Sequence, residues 1–432
     1  MKLVSTRGNG ATPPVPFAEA LFRGLAPDGG LYLPDGFPPI PRKLLERLPG
    51  GSFADTGVVL ARHLLEGVLP PERIEAVVRD ALDFPVPLIP LEDGIHLAEL
   101  FHGPTLAFKD VGARFMARMS AALRPDDAPR VTILVATSGD TGGAVADAFH
   151  GVPGTRVVVL FPRGRVSPRQ EAQFTTLGGN VTAVEVEGAF DDCQRLVKEA
   201  FADPELRRRA NLSSANSINI GRLVPQIFYY AHAWAAHPAH PEPLTVSVPS
   251  GNFGNLTAGL MGWKMGIPVR HFVAATNVND VVPAYLATGS FAPRPSVATL
   301  SNAMDVGDPS NFERMRHLFR DDADAMRGMV TGSAWSDEDT TACIADAWRD
   351  HGVLLDPHTA VGVLGMRARR SVDPRTPGVV LATAHPAKFA ETVEPLIGAE
   401  IPLPPALSRR LDARRLVETI PSRLDSLRPI IL

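Results

Sequence analysis

Lys109 is one of only six lysines in a chain of 432 residues whose positive charge is carried almost wholly by arginine. It lies in His102-Gly103-Pro104-Thr105-Leu106-Ala107-Phe108-Lys109-Asp110, among apolar and backbone-special residues. An amine held away from water gives up its proton more readily and becomes a nucleophile able to form a Schiff base with a carbonyl. Arginine cannot take that part, because a guanidinium keeps its proton. Taken alone, such a lysine reads as an ordinary solvated residue at a helix start; the neighbouring motifs reverse that reading.

Two glycine-rich turns leave apolar runs and enter helical patterns. In Gly251-Asn252-Phe253-Gly254-Asn255 the glycines allow close backbone approach to a ligand, and the helix start beyond offers free N–H groups to an anion. No Lys-Ser/Thr follows, so the turn is not a nucleotide P-loop, and a phosphate monoester fits it better. In the turn from Thr137 to Gly143, three hydroxyls (Thr137, Ser138 and Thr141) crowd a strand end and suit a small carboxylate. Asp140 in that turn would repel an anion unless it points elsewhere, toward a cofactor hydroxyl. In Asn216-Ser217-Ile218-Asn219-Ile220-Gly221-Arg222, Arg222 with the amides of Asn216 and Asn219 could clamp a second phosphate. Thr383 ends an apolar strand and presents a hydroxyl suited to a heterocycle nitrogen. His385 reads as an acid/base or a packing residue, and Leu355 to Gly362 as a loop running into a helix beside the same cleft. A Schiff-base lysine, a phosphate cup, a carboxylate turn and a strand-end hydroxyl together suggest pyridoxal phosphate.

The elements that position these motifs alternate. Val131–Ala136, Arg156–Phe161, Val181–Val186, Thr245–Val248, His271–Ala275 and Val379–Thr383 are apolar runs of strand length, and helical patterns follow most of them. Such alternation predicts an α/β fold with parallel sheets covered on both faces. The expected division is a small, mainly helical N-terminal module (1–90), a large α/β domain (91–130 and 236–400), a smaller α/β domain (131–235) and a C-terminal tail (401–432).

This set of motifs resembles the threonine synthases of fold-type II pyridoxal phosphate enzymes, in the branch with longer chains. Ser5-Thr6-Arg7-Gly8 and the segment from Gly24 to Pro34 add to the likeness, while Leu3-Val4 departs from the branch's usual Tyr plus small polar residue. The resemblance implies two open parallel-sheet domains beside the N-terminal one. It implies Lys109 as the Schiff-base residue, Gly251 to Asn255 as the cofactor phosphate cup and Thr383 opposite the pyridine nitrogen. Ser138 to Gly142 would hold substrate, and Asn219 and Arg222 would grip its phosphate. The implied reaction takes O-phospho-L-homoserine and water to L-threonine and phosphate. A related phospho-lyase releasing 2-oxobutyrate is the alternative, ahead of a dehydratase or a non-catalytic relative that only binds pyridoxal phosphate.

Composition bounds the remainder. A formal net charge of -4 gives no basic field for nucleic acid. Cys193 and Cys343 form neither a disulfide framework nor a metal-ligand spacing. There is no signal-like apolar segment at the N-terminus and no run near the ~20 apolar residues of a membrane span. The expected setting is the cytoplasm, with reduced thiols, no metal, and a monomer or homodimer.

Overall fold

Val131–Ala136 is buried at every position but the first. A run of that kind forms a strand covered on both faces. The structure, a computed structural model, describes residues 1–8, 13–125 and 127–432. The N-terminal module carries β1 (Lys2–Ser5), β2 (Val15–Pro16) and β3 (Tyr32–Pro34) in an antiparallel sheet. Helices Phe17–Arg23, Phe53–Leu64 and Pro71–Ala81 accompany it. Of the strands only β3 is legible in sequence, as the run Leu31-Tyr32-Leu33-Pro34 after the turn Asp28-Gly29-Gly30.

The chain then forms β4 (Leu88–Glu92) and β5 (Ile95–Glu99), followed by helix Lys109–Leu123. A smaller sheet comes next: β6 (Val131–Ala136), β7 (Thr155–Pro162), β8 (Val181–Glu187) and the two-residue β9 (Leu212–Ser213). The chain returns with β10 (Leu244–Pro249), β11 (Val269–Thr276), β12 (Val330–Ala334) and β13 (Gly378–Ala382). The larger sheet has the order β12-β11-β10-β13-β5-β4, parallel except for β4 at its edge. β4 is antiparallel because only the short Asp93-Gly94 turn joins it to β5, and parallel strands need a crossover.

The expected tail is not a tail. β14 (Val417–Pro421) pairs parallel with β8 and closes the smaller sheet in the order β14-β8-β7-β6-β9. Helix Leu424–Ile431 then buries Leu427, Ile430 and Ile431 against Val184, Val186 and Leu196. In sequence, Val-Glu-Thr-Ile-Pro follows a run of arginines and carries too few apolar residues to read as a strand. Arg415 meets Glu171 and Glu185 on arrival, at 2.5 and 2.7 Å.

Candidate active site

Strand order locates the site. β10 lies between β11 and β13, so the chain runs across the larger sheet in opposite directions on its two sides; β6 lies between β7 and β9 in the same way. Loops leaving the C-terminal ends of strands at such a reversal diverge and open a crevice. Residues following β10, β13, β6 and β9, together with Lys109, line one cleft of about 1270 Å³.

Lys109 opens helix Lys109–Leu123. Ahead of it, Asp110 closes the loop by accepting the N–H of Thr105 at 2.9 Å and its hydroxyl at 2.5 Å. Gly103 is required there, since a Cβ would sit 2.5 Å from Asp110 Oδ2. Ala107 bridges Ala384, and His385 N–H donates to Leu106 O at 3.1 Å, so the lysine loop lies along the end of β13. The Lys109 side chain is 16% exposed, and Nζ is 3.8 Å from Asp140 Oδ2. Burial pushes its ammonium down to about 8; Asp140 opposes the shift, and Lys388 and Arg222 add to it.

The Gly251–Asn255 turn has the features of an anion cradle. Ser250 N–H bonds Ala275 O at 2.8 Å and Thr257 N–H bonds Phe253 O at 2.9 Å. Among the described residues nothing accepts the N–H groups of residues 251 to 255. Phe253 takes a left-handed φ of 60°. Any Cβ on residue 251 would lie 2.6 Å from Met304 Cα, so glycine is needed for the turn to reach its seat. Asn255 Oδ1 accepts the hydroxyls of Tyr229 at 2.6 Å and Tyr230 at 2.8 Å. Its buried Nδ2 is thereby fixed with no partner. The hydroxyl of Thr383 takes no protein partner among the described residues and faces the cleft.

On the opposite wall the residues divide. Ser138 and Thr141 line the cleft, whereas Thr137 does not. Thr137 Oγ1 instead accepts the N–H groups of Gly139 at 2.9 Å and Gly142 at 2.8 Å, which shapes the turn. Asp140 also lines the cleft, with one of its two oxygens already engaged. Its Oδ1 meets Lys388 Nζ at 2.6 Å and Gln170 Nε2 at 2.9 Å. Burial would raise this carboxyl, but Lys388, Lys109 and His358 outweigh burial and hold it well below the usual range.

Arg222 is 3% exposed and lines the cleft. One of its Nη atoms reaches Ala215 O, while its buried Nε has no partner. Burial lowers its pKa to about 10 against the opposing charge of Asp110. Asn216 also lines the cleft. Asn219, expected beside them, is fully buried behind them. It caps the turn through Gly221 N–H at 2.9 Å and donates to Leu21 O at 2.9 Å and Ser214 O at 3.2 Å. Its amide is spent on holding the loop to the N-terminal module.

Two buried cations escaped the reading of site residues. Arg314 donates to Tyr32 O at 3.0 Å, Ser217 O at 3.1 Å and Ile218 O at 2.6 Å, joining the N-terminal module to the Arg222 loop. Its helix reads as an ordinary polar face, and no signal marks it. Lys388 could have been found by the scarcity argument that singles out Lys109. His385 is a packing and capping residue: it packs edge-on to Phe101 at 5.3 Å and its Nδ1 accepts Ala387 N–H at 3.1 Å. His358 donates through Nδ1 to Asp356 at 2.7 Å and accepts Ala303 N–H at 3.2 Å, which braces the segment behind Gly251. Among the described residues no group of three or more His, Cys, Asp or Glu could hold a metal ion, and no helix is long and apolar enough to cross a membrane.

Residues 2–82 match the family described as threonine synthase N terminus, 84–384 the pyridoxal-phosphate dependent enzymes, and 359–431 the threonine synthase C-terminal family. A threonine synthase of Escherichia coli is 44% identical over 97% of this chain and 96% of its own. This chain belongs to the threonine synthase family. Another member, from Haemophilus influenzae, is 45% identical over 97% of both chains. The crystal structure of a threonine synthase with bound pyridoxal phosphate, from Brucella melitensis, superposes with a TM-score of 0.93 at 38% identity, covering 100% of this chain and 98% of that one. The fold-type II architecture is therefore shared along the whole length.

Proposed function

We propose that this cleft converts O-phospho-L-homoserine and water to L-threonine and phosphate with pyridoxal phosphate as cofactor. One observation carries the reading: a desolvated amine, a turn of unpaired N–H groups and a buried arginine all open on the same cleft. The residues fit the cofactor. Residues 251 to 255 would hold its phosphate, Asn255 Nδ2 a polar ring substituent, the Thr383 hydroxyl its ring nitrogen, and Lys109 its aldehyde carbon. When bound, the cofactor supplies the electron sink that makes the carbons beside the substrate amine acidic.

The other steps belong to the chain. Lys109 Nζ moves protons as general base and acid: one leaves the α carbon and one the β carbon, one is delivered to the γ carbon, which becomes a methyl, and one is returned to the α carbon. Ser138, Thr141 and the helix start at residue 140 hold the substrate carboxylate, where free N–H groups favour an anion. Arg222 grips the phosphate through its guanidinium, whose planar set of donors lysine cannot reproduce. Phosphate departs from the γ carbon, and water adds at the β carbon. Thr383 donates or accepts a neutral hydrogen bond, so it does not force a proton onto the ring nitrogen.

The test is incubation of the cofactor-loaded protein with O-phospho-L-homoserine, with phosphate, threonine and 2-oxobutyrate all quantified. Equal threonine and phosphate support the synthase. Phosphate with 2-oxobutyrate and ammonia would assign a phospho-lyase.

A further inference from the structure

Two amines and one carboxylate are buried together on one side of the cleft. Lys388, in the short helical turn Pro386–Phe389, is fully buried. Its Nζ lies 2.6 Å from Asp140 Oδ1 and donates to Thr105 O at 2.9 Å. Lys109 reaches the other oxygen of the same carboxylate only to 3.8 Å. Gln170, from helix Pro168–Thr175, adds a neutral donor to Oδ1 at 2.9 Å. The groups facing this cluster are Arg222, His358 and, at the start of the lysine helix, Asp110, which is bonded to Thr105, together with His385 at the start of Lys388's own turn.

With both amines protonated, the trio would hold one excess positive charge away from water, a state that burial penalises. One proton is therefore held more weakly than on a solvated amine, and geometry decides which. Lys388 has a carboxylate in contact and a carbonyl to receive a second N–H. Lys109 has neither at contact distance and faces the cleft, where water can take the proton. We propose that Lys388 is a positioning residue: by occupying Asp140 it makes Lys109 the amine that gives up its proton first and so becomes free to act as nucleophile. The downward shift of Lys109 to about 8 agrees in direction, since Lys388 contributes to it and Asp140 opposes it. The pair also joins the lysine loop to the smaller sheet, because Thr105 O is shared by Lys388 and Gln173 Nε2, each at 2.9 Å. The inference rests on the assignment of Lys109 as the cofactor lysine.

The six lysines of the chain make a direct test practicable. Full-length protein before cofactor loading, labelled with ¹³C at lysine Cε, is titrated by NMR, with Lys109→Arg and Lys388→Arg used to assign the two buried signals. Lys109 is expected to titrate near 8 while Lys388 remains protonated. Loss of the Lys388 proton first, or a Lys109 midpoint at the ordinary 10.5, would overturn the proposal. In Lys388→Met, Asp140 is left to Lys109 alone, so its midpoint should rise by about one to three units, and the pH needed for cofactor capture should rise with it. Lys388→Arg should stay near the parent value. An unchanged midpoint in folded Lys388→Met also overturns the proposal, and if that variant does not fold, the order of titration in the parent chain still decides. Addition of pyridoxal phosphate separates the underlying assignment: a Lys109 signal that does not move would sink the cofactor role and leave the order of titration intact.

Discussion

The backbone N–H of Phe108 donates to the carbonyl of Thr383 at 2.9 Å. This one bond holds the residue before the amine against the residue that carries the strand-end hydroxyl. Lys109 is thus placed by backbone contacts, and its side chain can be changed without disturbing them. Lys109→Ala should fold normally and lose its lysine-bound cofactor, read as visible absorbance of the loaded protein. Activity should fall by at least about 10³, the scale of a lost nucleophile and proton carrier together. Turnover at the parent rate would remove Lys109 from the mechanism.

Thr383→Val tests the other end of the same bond. Valine keeps the branched shape and the carbonyl that Phe108 uses, and it replaces only the unpartnered hydroxyl. A lost neutral hydrogen bond of about 1 kcal/mol predicts a several-fold to tenfold fall in kcat, with little change in Tm. A large fall in Tm with unchanged kcat would mean that the hydroxyl serves packing alone.

Arg222→Met should raise KM for the phosphorylated substrate by about 10² or more, in line with removal of one partner from a desolvated charge pair. Inhibition by inorganic phosphate should weaken in parallel, and cofactor absorbance should survive. Arg222→Lys should recover only part of the loss, because a point charge cannot match two phosphate oxygens from this buried position. An unaltered KM would place the phosphate clamp elsewhere, with Lys198 and Arg207 on the cleft wall as the cations to examine next.

How much of this was legible depends on what each residue type can signal. Lys109, Gly251 and Thr383 announce themselves: the amine is rare, the glycine opens a two-glycine turn that leaves an apolar run, and the hydroxyl ends another such run. Thr137 and Asn219 were legible as members of their turns but not in their orientation. Both types bond nearby backbone as readily as they bond a ligand, and here the backbone won. Arg314 and β14 were silent. A buried arginine whose one local partner is Asn311, at 2.6 Å, and whose other partners are backbone carbonyls about 100 to 280 residues away leaves no readable pattern. An edge strand that is mostly exposed has little apolar periodicity to display. Lys388 was legible in principle, but its meaning requires Asp140, nearly 250 residues away in sequence, to be in contact.

Arg314→Met would leave the carbonyls of Tyr32, Ser217 and Ile218 without their donor. Hydrogen bonds to a charged group are worth about 1.5–3 kcal/mol each in favourable cases, offset here by relief of a buried charge with no carboxylate in contact. The net expectation is a loss of about 2 kcal/mol in denaturant unfolding. A several-fold rise in substrate KM should accompany it, as the Arg222 loop loses its tie to the N-terminal module. A fall in stability with KM untouched would make Arg314 a fold residue only.

Acid should destabilise the protein through histidines kept neutral inside it. Burial pushes His237, His271 and His385 each down to about 4 from 6.5. Between those limits the unfolded chain binds protons that the folded chain refuses, so stability present above pH 6.5 is lost as pH falls through about 4. His271 offers the cleanest probe, because it is buried, far from the cleft residues in sequence, and bonded to Thr331 Oγ1 at 2.6 Å through Nε2. Glutamine can keep a hydrogen bond to that hydroxyl and does not titrate. His271→Gln should therefore lose less stability than the parent between pH 7 and pH 4, the difference being on the order of 2 kcal/mol after discounting for partial solvent access. Denaturant midpoints at pH 7, 5 and 4 give the comparison. Parallel losses in the two proteins would show that His271 takes up its proton without unfolding, and would shift the acid sensitivity to His237 and His385.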